Sequence, residues 1–168
     1  MMGQTVSDSR TILTQPMGVT EGNLLGNVHG GVLMKLCDDA GAIAAMKHAR
    51  RPVVTVAVDS MSFHSAVQIG DLLTVRAEVT WVGRSSLETR LVVTAENLMT
   101  GDITHTNTAY YVYVALNARG EPAQAPPLIC ETDEERALFE AGAARQAQRL
   151  ERRRREQPVD LTNHADAS

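Results

Sequence analysis

The chain has 168 residues, 43% of them hydrophobic but only 4% aromatic, and a net charge of −4. That is enough for one domain with a sizeable core, and the acidic balance argues against general nucleic-acid binding. No apolar run of about 18 residues occurs and no signal peptide opens the chain, so no membrane association is expected and the default compartment is the cytoplasm.

Residues 1–9 are polar and are expected to form a flexible N-terminus, followed by a single domain over 10–130. Thr11-Ile12-Leu13-Thr14 predicts a short strand stopped by Pro16. A polar, Gly/Asn-rich stretch, 18–27, then leads through Gly26-Asn27-Val28-His29-Gly30-Gly31 into one long helix, which ends near Arg50-Arg51-Pro52. Val32, Leu33, Leu36, Cys37, Ala40, Ile43 and Ala44 recur at helical spacing and form its apolar face. Cys37 therefore reads as core, and with Cys130 it makes neither a disulfide framework nor a zinc site.

Asn27 is placed to cap the helix. Gly30 and Gly31 are poor helix formers, costing up to ~1 kcal/mol each against alanine. They leave the first-turn amides bare, so a ligand oxygen can approach the positive end of the helix. Close packing of backbone on backbone is the alternative. Asp39 has Lys35 as an i,i+4 partner. Asp38 has no cation within helical reach and stands among Met34, Gly41 and Ala42. It is either a surface aspartate or a partly desolvated carboxylate suited to act as a base.

Strand patterns fill the rest: Val53 to Phe63, Asp71 to Trp81, Ser85 to Glu96 and Ile103 to Leu116. Leu73, Val75, Ala77, Val79 and Trp81 are expected on one face of the second of these. Turns at Gly70, Gly83, Gly101 and Gly120 are short, which makes the strands antiparallel neighbours. The expected class is α+β, about five strands wrapped around one helix.

Ala125-Pro126-Pro127 reads as a linker. Thr132 and Glu135 form a capping box that starts a charged helix over 131–156, acidic at its start and ending in Arg152 to Arg155. That basic run suits a solvated helix end or contact with a phosphorylated ligand or neighbouring subunit. Residues 157–168 are expected to be disordered. His29, His48, His64, His105 and His164 lack ligand spacing, so no metal is expected.

Gly26-Asn27-Val28-His29-Gly30-Gly31 followed by Met34-Lys35-Leu36 and Asp38 resembles the hotdog-fold acyl-CoA thioesterases, both the cytosolic acyl-CoA hydrolases with tandem domains and the single-domain bacterial enzymes. The likeness continues through Val54 to Asp59, Phe63, Gly70-Asp71 and Val82-Gly83-Arg84-Ser85-Ser86, and reaches the Glu/Arg-rich tail helix. It implies a sheet wrapped around a helix, a homodimer with shared active sites, commonly assembled as a trimer of dimers, and an acyl-CoA substrate with no cofactor. In the tandem relatives one domain supplies an asparagine and the other an aspartate; here one chain carries both, as Asn27 and Asp38. His29 stands where many bacterial relatives have an aromatic residue.

Hydrolysis of a thioester needs a positioned water, a base and donors for the developing oxyanion. Asp38 is the expected base or nucleophile. Asn27 would orient water or substrate, with His29 and the amides of Gly30 and Gly31 positioning the thioester. Gly83, Arg84, Ser85 and Ser86 form by themselves an ordinary polar turn; the resemblance makes them a coenzyme A contact. A hydratase acting on enoyl thioesters and a non-enzymatic acyl-CoA-sensing module are the alternatives.

Overall fold

A computed structural model describes residues 2–59, 61 and 65–155. Phe63, His64 and the tail from 156 onward, with the expectations placed on them, lie outside those residues.

The chain opens with β1 (Gln4–Thr5) and the single helical turn α1 (Val6–Ser9). The loose N-terminus expected from its polarity is replaced by structure for identifiable reasons. The Thr5 hydroxyl caps α1 by accepting from the Asp8 amide, and the Thr5 amide donates back to the Asp8 carboxylate. Val6 and Ser9 are buried, and the Ser9 hydroxyl accepts from the Val79 amide at 2.9 Å.

Five strands form one antiparallel sheet: β2 (Thr11–Pro16), β3 (Val53–Val58), β4 (Leu72–Val82), β5 (Ser86–Glu96) and β6 (Ile103–Ala115), in the order β2-β4-β5-β6-β3. Pro16 ends β2 rather than lying beyond it, which an edge strand tolerates because only one side must be hydrogen-bonded. The sheet curls around α2 (Gly30–Ala49). Leu33, Cys37, Ala40 and Ala44 of α2 pack against Leu73, Val75, Leu91, Val93, Tyr111 and Tyr113.

Trp81 departs from the expected alternation. The β4/β5 register shifts between Val79 and Trp81, and the extra residue turns Trp81 onto the outer face. There it packs against Gly142 of α3 (Asp133–Arg155), where a Cβ would come within 2.6 Å of Trp81 Cβ. The capping box at Thr132 forms as expected. Beside Trp81, Glu88 is fully buried under α3 and held by Arg145 at 2.7 Å and Arg149 at 3.0 Å.

The proline-rich segment is not a free linker. Ala125 and Pro126 are buried, the Pro127 carbonyl accepts from the Gln4 amide, and β7 (Leu128–Ile129) pairs in parallel with β1. The segment covers the C-terminal end of α2, where the fully buried His48 shares a hydrogen bond of 2.9 Å between Nε2 and the Pro126 carbonyl. Nδ1 of His48 has no hydrogen-bond partner among the described residues, and burial lowers the pKa of the ring.

This gives a signed expectation. A histidine whose folded pKa is depressed contributes its full stability above its unfolded value of ~6.5, and loses it as pH falls through that value. Urea midpoints should therefore drop between pH 7.5 and 5.5, and His48→Gln, whose amide can still donate to Pro126, should flatten that slope. Parallel pH curves for the two proteins would show that His48 is not the group responsible.

Candidate active site

α2 carries most of the candidate residues. Its N-cap is His29, not Asn27: Nδ1 of His29 accepts from the Gly31 amide at 3.0 Å. The Gly31 amide is thus occupied, whereas the Gly30 amide has no hydrogen bond among the described residues. Asn27 instead lies in a β-bridge with Gln68.

The loop before the helix is organised by a different asparagine. Asn23 Oδ1 accepts from the amides of Leu25 at 2.8 Å and Asn27 at 3.2 Å, and its own amide donates to the Asn27 carbonyl at 2.7 Å. Gly26 completes the turn with φ of +80°, a conformation glycine adopts without strain. With Oδ1 committed to the loop, Asn23 offers its Nδ2 group as a donor. Gly22, Asn23, Leu24, Leu25 and His29 line a cavity of about 520 Å³.

Asp38 follows Gly31 by two helical turns, roughly 10 Å along the axis. Its carboxylate faces hydroxyls rather than a cation: Thr55 Oγ1 donates to Oδ1 at 2.7 Å, and Tyr113 Oη lies 3.2 Å from the same oxygen. Asp39 behaves as its spacing predicts, paired with Lys35 at 2.6 Å on the exposed side. Asn23, Thr55 and Tyr113 were not among the residues singled out from sequence. Thr55 and Tyr113 sit inside regular strand patterns, and Asn23 was hidden by a second asparagine four positions on. The one available signal was a hydroxyl interrupting the valines of 53–58.

The turn Gly83-Arg84-Ser85-Ser86 joins β4 to β5. It closes through Gly83 N–H to Ser86 O at 2.8 Å and is tied down by Ala115 N–H to Ser85 O and Ala125 N–H to Arg84 O. Arg84 is exposed, and with Ser85, Pro122, Ala123 and Gln124 it lines a cavity of about 320 Å³. Leu87, next to this turn, packs with Ala49 at the C-terminal end of α2. One chain therefore holds Gly30 and the Arg84 turn at opposite ends of a 20-residue helix, about 30 Å long. It brings Asp38, Thr55 and Tyr113 together but not the whole set.

A family model described as the thioesterase superfamily matches residues 25–101. An uncharacterised acyl-CoA thioester hydrolase of Bacillus subtilis is 34% identical over 152 residues, covering 90% of this chain and 88% of that protein. The chain belongs to the thioesterase superfamily. The cytosolic acyl coenzyme A thioester hydrolase of Rattus norvegicus is 34% identical over 146 residues; the alignment covers 86% of this chain but only 38% of the rat protein. Among solved structures, an apo-hexameric acyl-CoA thioesterase superposes with a TM-score of 0.86 at 36% identity, over 90% of this chain and 97% of that one. The acyl-CoA hydrolase of Staphylococcus aureus, in complex with butyryl coenzyme A, coenzyme A and coenzyme A disulfide, gives 0.82 at 29% identity over 89% and 92%. That enzyme has also been solved with an aspartate, an asparagine or a threonine replaced by alanine. These neighbours share the hotdog fold, a curled five-stranded sheet around a central helix.

Proposed function

We propose that this protein hydrolyses fatty acyl-CoA thioesters to the free acid and coenzyme A. The observation that carries this is the carboxylate–hydroxyl pair of Asp38 and Thr55 downstream of Asn23. In the S. aureus hydrolase the replaced asparagine, aspartate and threonine follow one another at intervals of 15 and 17 residues. Asn23, Asp38 and Thr55 stand at those same intervals here, and Asn27 does not.

Asp38 takes a proton from the attacking water (or attacks directly to form an anhydride). The developing oxyanion is met by Asn23 Nδ2 and the Gly30 amide at the positive end of α2, and collapse of the tetrahedral intermediate expels the coenzyme A thiolate. Asn23 replaces Asn27 as the polarising asparagine, because the Asn23 side chain has a donor to spare and Asn27 is held through its backbone. A thiol-release assay with acyl-CoA of graded chain length tests the activity. A hydratase would consume enoyl-CoA without freeing thiol, and a sensing module would bind without either change.

Two copies are needed to complete the site. β3 is an edge strand with Val54, Val56 and Val58 exposed, an unpaired ladder of the kind that recruits a second strand. Pairing two copies along β3 gives a homodimer that brings Asp38 of one chain to the Asn23 loop of the other. The hexameric state of the apo thioesterase is in line with three such dimers, and the cytosolic rat relative with a cytoplasmic setting.

Arg84 is the expected contact for a coenzyme A phosphate, with Gly83, Ser85 and Ser86 shaping the turn for the pantetheine arm. Such a pair is charge-assisted, exposed and weakened by salt. Arg84→Ala should raise KM for acyl-CoA and leave kcat nearly intact, as loss of uniform binding does. The effect should vanish with an acyl-pantetheine thioester, which lacks the nucleotide. Equal losses on both substrates would reassign Arg84 to the fold or the pantetheine arm.

A further inference from the structure

Tyr113 is fully buried in β6, and its hydroxyl meets Asp38 on one side and the Thr89 hydroxyl on the other. Oη lies 3.1 Å from the Asp38 main-chain oxygen and 3.2 Å from Asp38 Oδ1. A phenol has one proton to donate, and both Asp38 oxygens are acceptors, so that proton goes to Asp38 and the Thr89 hydroxyl can act toward Oη only as a donor. Burial, and then the Asp38 charge, push the Tyr113 pKa far up, which keeps the group a donor.

Room for the hydroxyl comes from Gly41. A Cβ at that position would stand 2.4 Å from Tyr113 Oη and 2.9 Å from Thr89 Oγ1, well inside contact distance. Glycine weakens a helix interior, yet α2 has one on the turn where Tyr113 reaches it. One turn nearer the start of α2, Tyr111 reaches only the Met34 main-chain oxygen, at 3.4 Å. The two buried tyrosines differ in that only Tyr113 touches a carboxylate.

Building on the acyl-CoA hydrolase reading above, we infer that Tyr113 is a positioning residue for Asp38, seated by Gly41. Its hydroxyl and that of Thr55 hold Oδ1 from β6 and from β3, leaving Oδ2 as the oxygen presented to water and thioester. The terminal torsion of an aspartate is otherwise broad. Two donors on one oxygen fix it, and small misplacements of a catalytic group are costly in rate. Among the described residues no hydrogen bond reaches Asp38 Oδ2.

The test compares Tyr113→Phe, Tyr111→Phe, Gly41→Ala and the double variant Gly41→Ala/Tyr113→Phe by thiol release and thermal unfolding. Tyr113→Phe should lower kcat about tenfold at unchanged KM, a loss of positioning rather than of binding. Tyr111→Phe should leave both constants alone. Gly41→Ala should also lower kcat, and the losses should be less than additive in the double variant, because phenylalanine removes the nearer of the two hydroxyls the new Cβ meets. Wild-type kcat in Tyr113→Phe, or equal losses in the two tyrosine variants, overturns the assignment; Tyr113→Phe alone decides it if Gly41→Ala does not fold. An unmutated protein that frees no thiol from any acyl-CoA refutes the hydrolase reading instead. The clamp is then read from the ¹³Cγ resonance of labelled Asp38, which should shift in Tyr113→Phe and not in Tyr111→Phe; an unmoved resonance refutes the clamp whatever the turnover.

Discussion

Asp38→Asn is expected to keep the fold and to lower kcat by a factor of about 10² or more, the scale of a lost general base. The substitution is isosteric, and an asparagine oxygen still accepts the Thr55 hydroxyl that stands 2.7 Å from Oδ1. The Tyr113 hydroxyl keeps the main-chain oxygen of residue 38 as its acceptor. Little stability should be lost, so a fall in kcat reports on chemistry rather than folding. Asp39→Asn is the matched control. It removes only the exposed pair with Lys35, an interaction worth well under 1 kcal/mol, and should leave kcat and melting temperature unchanged. Should Asp39→Asn be the inactive protein and Asp38→Asn the active one, the face of α2 has been assigned the wrong way round.

Asp38 was legible in the sequence as a carboxylate without a helical cation partner, because that signal is local. A helix presents i±4 neighbours predictably, and a carboxylate without a cation among them stands out against Asp39, which has one. The strands were equally legible. Their inward residues alternate, and Gly101, with positive φ, marks the turn joining β5 to β6. The Gly70 turn instead leads into β4 without making it a neighbour of β3, which pairs with β6, and Gly120 lies beyond β6. Trp81 broke the pattern because one inserted residue reverses every later side chain, and a bulge leaves no mark in hydropathy. Its side chain is apolar on either face, since α3 covers the outer one.

The rest of the site depends on contacts that periodicity does not encode. Two asparagines four residues apart in a polar loop are equivalent on paper. Only the hydrogen bonds of the folded loop show that Asn23 holds it through Oδ1 while Asn27 is held by its backbone. The same limit applies to the cap, because a histidine ring nitrogen is a rarer acceptor for a first-turn amide than the Ser, Thr, Asp and Asn oxygens that define the usual signal. Thr55 and Tyr113 fill ordinary positions in their strands. Their pairing across the sheet, Thr55 opposite Tyr113, aims both hydroxyls at one oxygen of a helix far away in sequence.

That geometry also makes a sharp demand on assembly. Within one chain Asp38 stands two turns beyond the loop of Asn23, and the Arg84 turn lies toward the far end of α2, so a catalytic set drawn from a single copy would be spread along the helix. Mixing Asn23→Ala chains with Asp38→Asn chains, each nearly inactive alone, should therefore restore activity once subunits exchange. A mixed dimer has one site carrying both defects and one carrying neither. With equal amounts and random pairing, half the dimers are mixed, and recovery should approach about a quarter of wild-type sites. The same mixture made with Asn27→Ala in place of Asn23→Ala serves as comparison, since those chains should be active before mixing. No recovery, with exchange demonstrated by differently tagged chains, would place Asn23 and Asp38 in the same chain's site. It would also leave the exposed valines of β3 to some interface other than the catalytic one.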